Sequence, residues 1–212
     1  MARVPELSIR PAEFADLDAI YSICLRTGAA GHDATGLYAD GDLLGHVYAG
    51  PYVLLESAFG IVAADGDAVL GYALAAPDTA AFEAECAAAW WPALQRRYPL
   101  PTDADIDAGS RDAALVALIH HPRSTRPELL TDFPAHLHID LAPEAQGSGA
   151  GRQLMAALED ELRSRSVASV HLGVDPANTR AHGFYEHLGY RRLDTGELGT
   201  PEGAVTYVKA LS

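Results

Sequence analysis

Residues 136–152, His-Leu-His-Ile-Asp-Leu-Ala-Pro-Glu-Ala-Gln-Gly-Ser-Gly-Ala-Gly-Arg, leave few folds open to this chain. From His136 to Leu141 polar and apolar residues alternate, the period of a half-buried strand, and Pro143 removes a backbone donor and ends it. Over residues 152–165, Leu154, Met155, Leu158 and Leu162 recur at helical spacing. Between the two, Gly147, Gly149 and Gly151 permit unusual backbone angles and close approach of a ligand. The free N–H groups of the first helical turn point the same way, and the helix dipole adds to them. The segment therefore predicts a strand, a bend and a helix N-terminus that cradle a diphosphate.

Two common phosphate loops do not fit. A P-loop ends in Gly-Lys-Ser/Thr, where this loop has Gly151-Arg152-Gln153. A dinucleotide-binding fingerprint needs its third glycine where Arg152 stands, and usually opens its domain. What remains, Gln146-x-x-Gly149-x-Gly151 after a strand ending in Leu141-x-Pro143, resembles the acetyl-coenzyme A signature of the GCN5-related N-acetyltransferase (GNAT) superfamily. About 30 residues downstream, Asn178, Ala181, Phe184, Tyr185, Leu188, Gly189 and Tyr190 resemble the second signature of that family. Two signatures at the expected separation are a far more specific match than either alone. Outside them, Gly71-Tyr72-Ala73-Leu74, Trp91-Pro92, Tyr98 and Asp132-Phe133-Pro134 resemble the acetyltransferase-like C-terminal domain of the eukaryotic O-GlcNAc hydrolases, so the resemblance spans nearly the whole chain.

Composition narrows the class of partner. At 212 residues the chain can bury a sizeable core, and with no low-complexity linker it reads as one domain, 1–212. Residues 1–10 lack an apolar signal segment and no run approaches the roughly 20 apolar residues of a membrane span, so a cytoplasmic protein is expected, monomer or homodimer, without a membrane partner. A formal charge of −14 argues against a nucleic-acid surface and favours cationic partners. Cys24 and Cys86 stand outside any metal-binding spacing and read as buried thiols. Basic residues are almost all arginine, Lys209 apart, as a GC-rich bacterial genome would produce.

The remaining chain fills in the elements. A strand over 7–10 precedes a helix over 16–26 with Leu17, Ile20, Tyr21 and Leu25 on one face and Asp16 as its cap. Residues 28–50 are glycine-rich and read as irregular. Apolar runs 58–64 and 68–75 around Asp65-Gly66-Asp67 predict a hairpin. Residues 77–134 form an insert with a helix over 79–98 and another over 111–120; Trp90 and Trp91 read as packing residues rather than an acceptor platform. A strand over 168–174, a helix over 178–188 and a closing pair, 190–193 with 205–210, complete the chain. This order gives an α/β fold. The resemblance makes it a GNAT fold: a mixed, mostly antiparallel sheet flanked by helices, strands 4 and 5 parallel and splayed, with the helical insert before strand 4.

The resemblance also implies the chemistry, an acetyl group moved directly from acetyl-CoA to an amine acceptor. Leu141, Gln146, Gly147, Gly149, Ala150, Gly151 and Arg152 would hold the cosubstrate, with Asn178 and Tyr185. Tyr185 would act as the acid for the departing thiolate. The base is open between Asp140, His138 and Asp175, all at strand ends beside the cleft. His136, His138 and Asp140 share a strand face and His171 lies on the next strand, yet satisfied or solvated histidines are a better reading than a metal cluster. Asn178, after Asp175-Pro176, is also a good helix cap. Asp33, Asp40, Asp42, Asp78, Glu83, Glu85, Asp103, Asp105 and Asp107 concentrate in 28–50 and the insert, where they would steer a cationic amine.

Overall fold

The computed structural model describes residues 7–102, 104–105, 108–193 and 203–211. The first hairpin forms where predicted: β2 (Phe59–Asp65) and β3 (Ala68–Ala76) run antiparallel around Gly66, whose φ of 60° supplies the turn. β1 (Ser8–Pro11) pairs with β2, and β4 (Ala135–Leu141) lies antiparallel to β3. β5 (Ser169–Val174) joins β4 in parallel, and β6 (Arg191–Arg192) and β7 (Val205–Ala210) complete the sheet in the order β1-β2-β3-β4-β5-β7-β6. The single parallel junction is short. β4 and β5 pair only through Ala135↔Val170 and His136↔His171 and then part, leaving a V open toward Leu141 and Val174.

Each face of the sheet carries its own core. β3 alternates between them, with Tyr72 and Leu74 in one and Ala73 and Ala75 in the other. The second core is covered by α8 (Ala150–Ser164), whose Leu154, Met155, Leu158 and Leu162 are all buried; each contributes about 1.5–3 kcal/mol over an exposed side chain. That stripe fixes the helix across the sheet and thereby sets its N-terminus at the mouth of the V. α9 (Thr179–His187) packs on the same face through Phe184 and Tyr185.

The first core lies under α1 (Leu17–Thr27), α2 (Leu43–Tyr48), α3 (Gly50–Leu54) and the insert. The insert comprises α4 (Thr79–Glu85), a π-helical stretch Cys86–Trp90, α5 (Trp91–Arg97), α6 (Arg111–His120) and α7 (Pro127–Asp132). Trp90 packs against this core and its Nε1 donates to His46 O at 2.9 Å, the packing role expected of it.

Three local expectations need correction. Residues 28–50 are not irregular throughout, because α2 begins at Leu43 and α3 at Gly50. Their glycines are contact glycines: a Cβ on Gly45 or Gly50 would lie 2.3 Å from Tyr21. Asp16 does not cap α1. Its carboxylate takes two 2.7 Å bonds from the Arg10 guanidinium and a 2.8 Å bond from Glu13 N–H, and this charged fork outcompetes a cap. α7 was not foreseen, although Pro127 at its first turn is a start signal.

Candidate active site

The glycine bend is open on the side facing the V. Gly147 and Gly149 take φ of 79° and 91°, and a Cβ at either would meet nothing within 4 Å. Among the described residues neither amide has a partner in the loop, while Ser148 N–H bonds Ala145 O and Ala150 N–H bonds Ser148 Oγ. Gly151, in the first turn of α8, finds no acceptor within its helix. It packs instead against Leu141 and Phe184, at 3.1 and 3.3 Å from its would-be Cβ, and Ala150 beside it is buried. Alternate amides thus line one concave surface at a helix N-terminus.

Side chains complete the rim. Gln146 Nε2 donates to Leu141 O at 3.1 Å, the carbonyl where β4 has parted from β5, and Gln146 Oε1 accepts from the Arg180 guanidinium. Arg152 is exposed on the first turn of α8. Asn178 caps α9, its Oδ1 accepting from Ala181 N–H at 3.1 Å. It also lies against Gly31, so it joins the α1–α2 loop to the rim. A 2.6 Å ion pair from Arg26 to Glu144 ties α1 to the turn ahead of the glycines.

Asp140 lies on β4 past its last pair with β5, and Tyr185, on α9, is near enough for the Asp140 charge to act on it. Tyr72 donates to Asp140 Oδ2 at 2.6 Å. Burial pushes the Asp140 carboxyl up to about 6, against the opposing effect of the hydrogen bond from Tyr72. Burial, with the Asp140 charge second, raises the Tyr185 phenol above its ordinary range. Among the described residues the buried Tyr185 makes ring contacts with Phe184, Tyr190 and Tyr207, and its hydroxyl makes no hydrogen bond. The buried Cys24 thiol is pushed up to about 12 by burial and by Asp140, and holds no thiolate for an acyl-enzyme. Asp175 stands apart from this group. It is exposed, and its Oδ1 accepts from Ala177 N–H at 2.8 Å in the turn after β5.

The histidines are held by protein groups. His136 and His138 share Tyr52, His136 also meets Thr79, and His171 Nδ1 donates to Phe133 O at 2.8 Å. Among the described residues no three metal-ligating groups converge. The acidic residues expected to steer an acceptor are engaged in the local fold. Asp78 caps α4, Glu83 and Glu85 accept from the backbone of Thr125 and Ser57, Asp40 accepts from Tyr98, and Asp42 faces Arg97 at 3.9 Å. Asp33 and Asp105 bind Thr35 and Thr102; Asp103 and Asp107 lie outside the described residues.

Sequence reasoning missed Tyr72 and Tyr52. Tyr72 was findable: a polar-tipped aromatic at an inward position of an apolar strand needs a buried partner.

A sheet opened between two parallel strands, with a glycine-bent helix N-terminus at its mouth, defines a GNAT-like fold. The sequence profile of the acetyltransferase (GNAT) family matches residues 114–190. The solved structure of SsHAT is 37% identical, covers 98% of this chain and 100% of its own, and superposes with a TM-score of 0.85. YncA, a putative acetyltransferase from Salmonella typhimurium solved with its cofactor acetyl-CoA, shares the fold at 18% identity and a TM-score of 0.53, covering 97% of this chain and 94% of its own. The mycothiol acetyltransferase of Renibacterium salmoninarum is 41% identical over 60 residues, which are 28% of this chain and 18% of that protein. The chain belongs to the GNAT superfamily of acetyltransferases.

Proposed function

We propose that the protein is an acetyl-CoA-dependent N-acetyltransferase that moves the acetyl group in one step to an amine acceptor, a small molecule or a peptide lysine. The observation that carries this reading is the cradle, where the Gly147, Gly149 and Gly151 amides line an open concavity at the N-terminus of α8, directly beside the parting of β4 and β5. Acetyl-CoA bound to YncA, which has the same fold, supports it. In this reading the amides of Gly147, Gly149 and Gly151, with Arg152 and Arg180, meet the diphosphate. Leu141, Gln146 and Asn178 hold the rest of the carrier along the V, and the thioester end lies toward Tyr185 and Asp140.

The chemistry follows from the two groups in the V. The amine nitrogen bonds to the acetyl carbon as one N–H proton passes to the Asp140 carboxylate, and the carbon–sulfur bond breaks as Tyr185 donates its proton to the departing sulfur. With its pKa above the ordinary phenol range, Tyr185 carries that proton throughout the physiological range. Asp140 is preferred over Asp175 as the base, since it lies on β4 past the last β4–β5 pair, its charge acts on Tyr185 and it titrates at about 6, whereas Asp175 is exposed and bound to its own turn. The high Cys24 pKa favours direct transfer over an acyl-cysteine.

Within the superfamily we group the chain with the acetyltransferase-like C-terminal domain of the eukaryotic O-GlcNAc hydrolases. The residues that carry this resemblance are tied into the fold: Tyr72 bonds Asp140, Tyr98 bonds Asp40 at 2.8 Å, and Pro134 O receives Thr79. The test of the proposed activity is thiol release from acetyl-CoA across a panel of small amines and lysine peptides. Release above background with at least one amine is expected; none across the panel, with acetyl-CoA still bound, would leave a binding domain without turnover.

A further inference from the structure

A third element ties the two arms of the V together at its mouth. α1 packs on β3 and β4 and buries Ile20, Ile23 and Cys24, so the chain leaving its C-terminus starts from a fixed base. That chain turns back at once. Ala29 N–H donates to His32 O and His32 N–H to Ala29 O, both at 3.0 Å, and between them Ala30 and Gly31 stand at φ of 51° and 85°. Two left-handed residues inside a closed pair of bonds make a type I′ turn. Gly31 N–H adds a bond to Thr27 O at 2.9 Å, and Ala34 N–H one to Leu25 O at 3.0 Å, so the turn is fastened to the last turn of α1. Alanine seldom takes a left-handed φ, and Ala30 is held there by this surrounding set of bonds.

This segment touches the chain leaving each arm. On the β4 side the Arg26 guanidinium forks onto Glu144 with bonds of 3.2 and 2.6 Å, in the turn Pro143–Ala145 that follows the strand. On the β5 side a Cβ on Gly31 would lie 3.1 Å from Asn178 Nδ2 and 3.4 Å from its Oδ1. Asn178 is itself fixed, its N–H donating to Asp175 O at 2.9 Å and its Oδ1 capping α9. Beyond His136↔His171 no strand pairing sets the distance between β4 and β5. A bidentate, charge-assisted fork on one side and a contact without slack on the other supply that distance at the mouth. Only glycine fits the second contact, since a side chain at position 31 would both strain the turn and push Asn178 away.

We infer that the turn Ala29–His32 is a clamp that sets the width of the V, with Gly31 as a positioning residue: it keeps the Asn178 side at the distance from the Glu144 side that lets the pantetheine arm of acetyl-CoA lie between β4 and β5. This rests on the acetyl-CoA reading above. Neither contact of the clamp uses a cradle amide, so its effect falls on the arm and on the thioester at its end, and the diphosphate is held as before.

Calorimetry on the full chain with two probes separates the clamp from the cradle. Acetyl-CoA carries the arm; 3′-phospho-ADP carries the phosphates without it. Gly31→Leu should weaken acetyl-CoA about tenfold while 3′-phospho-ADP stays within about twofold. Equal weakening of both probes, or an unchanged acetyl-CoA Kd, overturns the inference. The Arg26–Glu144 pair gives a second reading if the leucine variant fails to fold, because both side chains are exposed and the fold does not depend on them. Arg26→Glu should lower the ratio of acetyl-CoA to 3′-phospho-ADP affinity about threefold, a ratio in which the general field of the changed charge cancels. Adding Glu144→Arg remakes the fork with its charges exchanged and should restore the ratio. A ratio that ignores Arg26→Glu, or that the exchange fails to restore, overturns the clamp alone. Absence of binding of both probes to the unmodified protein would instead remove the acetyl-CoA reading, and the clamp with it.

Discussion

The two faces of the sheet solve their tasks by different means. On the α8 face an apolar stripe seats one helix, and the site it creates is made of the alternate backbone amides of Gly147, Gly149 and Gly151. On the α1 face the site is made of side chains brought together from far apart: Tyr52 meets His136 across 84 residues and Tyr72 meets Asp140 across 68. A backbone cradle recognises a phosphate whatever side chains surround it, and depends only on the glycine torsions. A side-chain constellation can change its acceptor without disturbing the fold. The first kind of site is written in one local stretch of sequence, and the second only in the assembled fold.

That contrast can be broken most severely at Gly149. Gly149→Asp puts a carboxylate into the concavity at a φ of 91°, and acetyl-CoA binding in calorimetry should be abolished. The torsional strain should cost only roughly 1–3 kcal/mol of stability. Next in size, Tyr185→Phe should lower turnover by about 10²–10⁴-fold with acetyl-CoA affinity and melting temperature kept. Full activity would remove Tyr185 from the mechanism.

Asp140→Asn should lower kcat/KM by about 10²-fold. In the unmodified protein the rate should rise with pH through about 6, as the carboxyl ionises into a base. The stability sign is opposite. A carboxyl whose folded pKa is raised from 3.8 to about 6 withdraws stability as pH rises across that window, so Asp140→Asn should melt higher than the unmodified protein at pH 7. A lower melting temperature would mean the carboxylate is held by more than Tyr72. The smallest effect is steering by the acidic residues of the acceptor side. A cationic amine should lose a few-fold in kcat/KM between about 0.02 and 0.5 M salt while a neutral one is unchanged. An identical response from both would reduce those carboxylates to their roles as caps and turn formers.

What could be read beforehand follows the same division. The strand, glycine bend and helix of 136–165, the hairpin at Gly66 and the Asn178 cap are local patterns, and all stand where the sequence places them. The errors fell where distant partners decide. Gly45 and Gly50 looked like loop residues because Tyr21, which requires them, lies more than 20 positions away. Asp16 looked like a cap until Arg10 was seen to claim both its oxygens. Period-2 spacing put His136, His138 and Asp140 on one face, but nothing in the sequence named Tyr52 as the link between two of them.

The most direct test of the cradle is a titration of the isotope-labelled protein with acetyl-CoA, followed through the backbone amide resonances. The largest shifts should fall on Gly147, Gly149 and Gly151, the amides at the parting of β4 and β5. If acetyl-CoA binds with those three resonances unmoved and the shifts lie elsewhere, the glycine bend is not the diphosphate site and the account built on it is wrong.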